Sequence, residues 1–343
     1  MTGEVQTSRV ISDEAAEARL LLRECDAGRM QDLDLYEAML AIRRFEERVS
    51  DLRLAGDITG SVHLEIGQEG IPVGALMALR PGDPVFSTYR GHGWALASGS
   101  SLASLFAELL GREAGVNGGR GGSAYLSDVS HAFYGENSIV GAGAPIACGA
   151  ALAAQRMQSG AVVLTVFGDG AMNQGSVSEA LNFASAGKLP VIFMCENNRY
   201  SELTLLSDVV ANDRLYERGG PYRIPSVRID GNDPRAVAAA VSEAADRGRS
   251  GDGPSLIEAM TERIAGHYIG DHEQYRKPGE LERIRADEPL ARLARHLPEP
   301  DVASVEQRMA ELMSRTSSSA LEAPLADAGS VLDHVYARGA SNG

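Results

Sequence analysis

Two short apolar runs near the middle of the chain share one pattern. Ala161-Val162-Val163-Leu164-Thr165-Val166-Phe167 ends in Gly168-Asp169-Gly170, and Val191-Ile192-Phe193-Met194-Cys195 ends in Glu196-Asn197-Asn198. Both are short and rich in β-branched residues, the pattern of strands buried on both faces of a parallel sheet. Between them Val177, Ala180, Leu181 and Ala184 recur at helical spacing, and Gly187 and Pro190 close that helix. The unit reads as strand, helix, strand, so both strand ends point the same way.

The same reading extends outward. Leu35, Met39, Ile42, Phe45, Val49 and Leu52 form one stripe of a helix over 35–54, capped by Asp34 and stopped by Gly56. Ile71–Leu79, Leu102–Leu110 and Pro145–Ala154 are expected helices. The last is so rich in Gly and Ala that it suits either an internal core or a subunit contact. Ser226–Ile229 and Ser255–Met260 read as strands around a helix over Arg235–Ala245, and a short run, Pro84–Phe86, precedes Tyr89-Arg90. Residues 113–138 and 262–278 are expected loops. Val305–Met313 is expected to be helical, Ser314–Ala320 a polar break, and Val331–Tyr336 a short terminal helix. The fold class is therefore α/β, a parallel sheet flanked by helices. The expected division is an arm over 1–30, a main domain over 31–300 and a helical extension over 301–343.

Composition narrows the function classes. The chain has 343 residues, 44% hydrophobic, enough for one large core. A formal net charge of −15 argues against nucleic acid or an anionic membrane surface as partner. No apolar stretch approaches a membrane span, and the first residues do not read as a secretory signal. Cys25, Cys148 and Cys195 are scattered without metal-type spacing, which fits a reducing cytoplasm. Cys195, inside an expected strand, reads as a structural thiol.

The candidate chemistry sits at the strand ends. Ligands of open α/β sheets bind at the carboxyl edge. There Asp169 offers a carboxylate and Asn198 an amide oxygen, hard ligands suited to Mg²⁺ and, through it, a diphosphate. Gly170 lets backbone approach a phosphate, and the next helix N-terminus adds N–H dipoles. Arg90, in FSTYRGHG, offers a bidentate guanidinium. Gly118–Gly122, GGRGG, lacks a preceding strand and a following helix, so it is a poor dinucleotide fingerprint.

Residues 168–200, GDGAMNQGSVSEALNFASAGKLPVIFMCENNRY, resemble the thiamine-diphosphate motif. More narrowly, the chain resembles the alpha subunit of the first component of the 2-oxo acid dehydrogenases, a family that includes the pyruvate, branched-chain and acetoin enzymes. The likeness runs from about Tyr36 to about Arg292. It implies the thiamine-diphosphate-binding fold, with Tyr89, Arg90, Ser138, Val140, Asp169, Gly170, Ala171, Asn198, Tyr200 and His267 binding the cofactor. It implies Mg²⁺ held by Asp169, Asn198 and the Tyr200 carbonyl. His63, in HLEIGQEG, is implied to handle the substrate, and His267, in AGHYIGD, to meet the diphosphate end and order a loop. An imidazole that donates to phosphate or switches charge near neutral pH suits either role. His92 is expected behind the site, and His131, His272, His296 and His334 in structural or surface roles.

Ring activation in this superfamily needs a Glu on a pyrimidine-binding domain, and neither flank of the motif reads as a second complete parallel α/β domain. The resemblance thus implies a beta subunit, two alpha and two beta chains, and an oxidoreductase that passes an acyl group to a lipoyl-bearing acyltransferase. The sequence departs from the family at Ala124-Tyr125, where many relatives have Met-His, at Ser138 in place of Gly, and at Glu202-Leu203. Tyr268 stands near where animal enzymes carry a phosphorylated serine, so that switch is not expected. The departures at Ala124-Tyr125 and Glu202-Leu203 keep open a carboligase that uses the same cofactor with a non-lipoyl acceptor, whereas intact Asp169, Asn198, Arg90 and His267 argue against a non-catalytic relative that has kept the fold.

Overall fold

The computed structural model describes residues 10–12, 18–25, 30–333 and 335. Six parallel strands make one sheet: β1 (Val85–Thr88), β2 (Phe133–Asn137), β3 (Val163–Gly168), β4 (Val191–Asn197), β5 (Ser226–Asp230) and β6 (Ser255–Met260). Their order across the sheet is β2-β1-β3-β4-β6-β5. The chain steps from β1 outward to β2, then returns to the other side of β1 for β3. Such a reversal opens a crevice at the carboxyl ends of β1 and β3.

The central strands are apolar on both faces because both faces are covered. Leu164, Val166, Ile192, Met194, Ile257 and Ala259 join one core, shared with helices α1 (Asp32–Ala55), α2 (Gly70–Ala78), α4 (Leu102–Leu109) and α7 (Pro234–Arg249). Val163, Phe167, Val191, Phe193, Cys195 and Leu256 join the other, under α5 (Gly143–Met157) and α6 (Gly175–Gly187). Helix α3 (His92–Ser98) follows β1. On α5, Ala144, Ala147, Cys148 and Ala151 are buried while Ile146 and Met157 are exposed. The helix therefore packs on the sheet along one face and presents the other outward.

Asp34 acts at the start of α1 as the third member of a capping box, accepting from the Gln31 N–H at 2.9 Å. Gly56, at φ 90°, ends that helix. In the first thirty residues the described segments are a two-stranded ribbon, Ile11–Ser12 with Arg19–Leu20, and a 3₁₀ turn over Leu22–Glu24. They place Val10, Leu20 and Leu22 in the main core.

Two local expectations fail for identifiable reasons. The stretch 113–138 contains β2, an edge strand whose pattern is broken by Gly135 at φ 129° and by a register shift opposite Val85 and Phe86. The expected break at Ser314–Ala320 is absent: helix α8 (Glu299–Glu322) runs through it. Its hydroxyls find partners without unwinding the backbone. Thr316 Oγ1 donates to the Leu312 carbonyl at 2.8 Å, and Ser317 Oγ accepts from Arg48 Nε at 2.9 Å. At the C-terminal end a 3₁₀ turn, Ala328–Ser330, leads into a turn over 331–333. His334 and 336–343 lie outside the described residues.

Candidate active site at the strand ends

Five strand ends meet at one pocket of about 150 Å³. Thr88 ends β1, followed by Tyr89 and Arg90; Asn137 ends β2; and Gly168 ends β3, followed by Asp169, Gly170 and Ala171. Glu196 lies near the end of β4 and Asn198 just past it, and Arg263 and His267 follow β6. Val140, Gly141, Tyr200, Ser201 and Glu202 complete the wall. The pocket thus brings together most of the residues singled out in the sequence. Ser138 lies between the lining residues Asn137 and Val140 without lining the pocket itself. His63 stands one layer back, its ring 4.4 Å from Tyr89 and 5.0 Å from His267, centroid to centroid.

Electrostatically the pocket is a place for an anion and a cation together. Arg90 is buried; Nη1 donates to the Leu64 carbonyl and Nη2 to the His267 carbonyl at 2.8 Å. Arg263, also buried, donates to the Glu202 carbonyl at 2.9 Å and the Tyr275 hydroxyl at 3.3 Å. Burial pushes both guanidinium groups below their usual range, Arg263 to about 10. A buried cation without a carboxylate partner is costly, and an incoming anion relieves the cost.

Opposite them Asp169 is 1% exposed, its Oδ2 makes no hydrogen bond, and burial raises its carboxyl to about 6. Asn198 is held in one orientation: Nδ2 donates to Gln68 Oε1 at 2.9 Å, and Oδ1 accepts from the Tyr200 N–H at 3.2 Å. The Tyr200 hydroxyl is tied to Glu280 at 2.9 Å. A buried, unpartnered carboxylate oxygen beside an oriented amide oxygen fits a hard divalent cation. Among the described residues no group of three His, Cys, Asp or Glu side chains is arranged to hold a metal. A cation here would therefore rest on one carboxylate, one amide, backbone oxygen and the oxygens of its ligand.

Gly170 has a second reason to be glycine. A Cβ there would lie 2.3 Å from Ser201 Oγ, in the hairpin that carries Tyr200. The segment facing the pocket is a 3₁₀ turn, Asp169–Asn173; helix α6 starts at Gly175, two residues before the expected Val177, and the pocket lining from this stretch ends at Ala171, inside the turn.

The two histidines of the site are kept neutral. Burial and the nearby Arg90 and His267 lower His63 to about 3, while burial, Arg90 and Arg263 lower His267 to about 4. Beneath Arg90, Glu65 and Glu196 are fully buried carboxyls. Burial and the neighbouring Glu196 push Glu65 well above the usual carboxylate range. Burial raises Glu196 to about 7, against the opposing pull of the Trp94 N–H donated at 3.2 Å.

Arg263, Glu196 and Glu65 are the residues that the sequence reading missed. Arg263 carried a usable signal, since it lies three residues past the end of β6, at the same edge as Asp169 and Asn198. The other expected roles separate cleanly. His92 is buried between Glu46 Oε2 and Ser123 Oγ, each 2.8 Å from its ring nitrogens. His131 pairs with Asp128 at 2.7 Å, and His272 and His296 are exposed. Burial pushes the Cys195 thiol well above its usual range, in keeping with a structural role.

Comparison with known proteins converges on one family. The chain is 39% identical over 307 residues to the alpha subunit of acetoin:2,6-dichlorophenolindophenol oxidoreductase of Bacillus subtilis (strain 168), covering 88% of this chain and 92% of the relative. It is 44% identical over 256 residues to the pyruvate dehydrogenase E1 component subunit alpha of Rhizobium meliloti (strain 1021), covering 75% and 74%. The dehydrogenase E1 component profile matches residues 37–323, a span that contains all six strands and every residue of the pocket. With that profile matched over most of its length, the chain belongs to the dehydrogenase E1 component family.

Proposed function

We propose that this chain is the alpha subunit of a two-subunit, thiamine-diphosphate-dependent dehydrogenase. It acts on a pyruvate-like 2-oxo acid or on acetoin and passes the acyl group to lipoamide. The observation that carries the reading is the pairing, in one pocket, of buried Arg90 and Arg263 with the unpartnered Oδ2 of Asp169. That is the charge pattern a Mg²⁺–diphosphate complements.

When bound, thiamine diphosphate supplies a carbanion that adds to a carbonyl carbon and then serves as an electron sink. The chain's own residues do the holding. Arg90 and Arg263 meet diphosphate oxygens, while Asp169, the Asn198 amide oxygen and the Tyr200 carbonyl take the metal. Val140 and the neighbouring Ser138 backbone border the aminopyrimidine side. His63, packed behind Tyr89 and edge-on to His267, shapes the substrate side.

The ring-activating Glu is proposed to come from a beta subunit, in an assembly of two alpha and two beta chains. Val140, 44% exposed, lines the pocket beside Ile139, 70% exposed, and the two support a protein partner there. Among the described residues no helix is long and apolar enough to cross a membrane; we propose a cytoplasmic complex. Co-expressed with a beta partner, the chain is expected to reduce an artificial electron acceptor with pyruvate, a branched 2-oxo acid or acetoin. Silence with all three would sink the reading. Carbon–carbon product formation without lipoamide would redirect it to a carboligase.

A further inference from the structure

We infer that Arg263 is a positioning residue that fixes His267 as the neutral imidazole with its proton on Nε2, making His267 a constant hydrogen-bond donor to an anionic oxygen in the pocket. The inference deepens the function proposed above and rests on it for the identity of that oxygen, but the geometry behind it is the chain's own.

His267 Nδ1 lies 3.0 Å from Arg263 Nη1 and 3.5 Å from Arg90 Nη2. Guanidinium nitrogens only donate. A ring nitrogen facing two such donors must present its lone pair, so the proton belongs on Nε2. A protonated ring would set N–H against N–H. The ring sits on a pinned segment among aromatic neighbours. Its backbone N–H donates to Asp271 Oδ2 at 2.7 Å and its carbonyl accepts from Arg90 Nη2 at 2.8 Å. Around it stand the rings of His63 at 5.0 Å, Tyr89 at 6.0 Å and Tyr268 at 6.4 Å. Arg263 is equally fixed, by the Glu202 carbonyl and the Tyr275 hydroxyl.

The charged and titratable groups facing the ring are thus Arg90, Arg263, Asp271, His63, Tyr89 and Tyr268. Asp271 is the one acid among them. Its carboxylate takes the backbone N–H of His267 and Glu273 and the Tyr275 hydroxyl, so it does not serve the imidazole. The lowering of His267 to about 4 agrees with this arrangement. His267 therefore does not switch charge near neutral pH, as the sequence alone allowed. Its Nε2–H is left for a phosphate oxygen or a substrate carboxylate oxygen.

The test uses the alpha–beta complex. The variants are His267→Gln, whose amide NH₂ replaces Nε2–H, His267→Asn, whose amide falls near Nδ1, and His267→Ala. Affinity for thiamine diphosphate with Mg²⁺ and the KM for pyruvate are measured from pH 5.5 to 8. Ala and Asn are expected to lose about 10- to 100-fold, the range for a hydrogen bond to a charged group, while Gln recovers most of it. A loss in cofactor affinity assigns the donor to the diphosphate; a loss confined to KM assigns it to the substrate carboxylate. In ¹⁵N-histidine spectra of the complex, His267 should keep the Nε2–H pattern across that pH range. Arg263→Gln, or Arg263→Lys if the first does not fold, should introduce a titration near the ordinary histidine value.

Gln as impaired as Ala, an Nδ1–H pattern, or a wild-type His267 titration between pH 5.5 and 8 would overturn the inference. Failure of the wild-type complex to bind thiamine diphosphate would instead overturn the proposed function, and the spectra would still read the tautomer.

Discussion

The glycine-rich stretch at 118–122 and the strand-end pocket both gather donors around a position for negative charge, yet only the pocket leaves that position open. In the first, the buried Glu108 carboxylate accepts from the backbone N–H groups of Asn117 at 2.7 Å, Gly119 at 2.8 Å, Gly121 at 2.6 Å and Gly122 at 3.2 Å. The chain supplies its own anion, and the loop is a structural knot. In the second, Arg90 and Arg263 donate to neutral carbonyls, a hydroxyl and the His267 imidazole, with no carboxylate among these partners, and Asp169 Oδ2 has no partner. Glycine-rich sequence marks where backbone donors converge. Whether a ligand is wanted depends on whether the fold has already filled the centre.

Removing the centre of each cradle is the sharpest test of this contrast. Asp169→Ala should lower affinity for thiamine diphosphate with Mg²⁺ by more than about 100-fold, since even outer partners of a metal carry about 10- to 100-fold. The ligand-free protein should melt little lower, because the substitution deletes a buried carboxylate whose Oδ2 has no partner and whose charge is disfavoured by burial. Retained Mg²⁺-dependent binding in calorimetry would undo the assignment. Glu108→Ala should do the opposite: lose about 4 kcal/mol in urea unfolding, with four backbone donors left unserved, and leave cofactor affinity of the folded fraction intact. A loss below about 1 kcal/mol would mean that the loop does not depend on its internal anion.

A third test concerns His92, whose ring is raised to about 9 by the fully buried Glu46 beside it, against the opposing effect of burial. A histidine raised in the folded state contributes stability that is complete below the unfolded value, about 6.5. That contribution is lost as pH rises through about 9. His92→Gln should therefore narrow the stability gap to wild type from about 3 kcal/mol near pH 6 toward zero above pH 9. A gap that does not change with pH would show the ion pair to be inert. The smallest effect is expected at the pocket rim. Gly170→Ala forces a shift of Ser201 and should weaken cofactor binding about 10-fold, in line with the cost of a single overpacked methyl. Gly170→Ala combined with Ser201→Gly should restore it.

The strand-end chemistry was legible because apolar runs that end in Asp169 and Asn198 announce both the sheet and its binding edge. Arg263 was less legible: it sits in a polar loop, and nothing local says that its head group turns inward. Glu65 and Glu196 were hidden more deeply, since a carboxyl reads as exposed until the fold buries it. Edge strand β2 hides behind Gly135, and the polar run in α8 reads as a break because hydroxyls compete for backbone groups. There Arg48 and the Leu312 carbonyl resolve that competition.

By itself, the sequence determined the parallel sheet, most of the residues that meet at the strand-end pocket and the resemblance to a family. These follow from local pattern, and a strand buried on both faces has few other ways to be written. Only the tertiary structure decided which charges remain without a partner. It tied Glu108 into its own loop, left Asp169 and the two arginines facing an open pocket, and set Arg263 against His267. The partner of a charge is chosen by contacts across 9 to more than 170 positions of chain, a distance over which residue pattern carries no register.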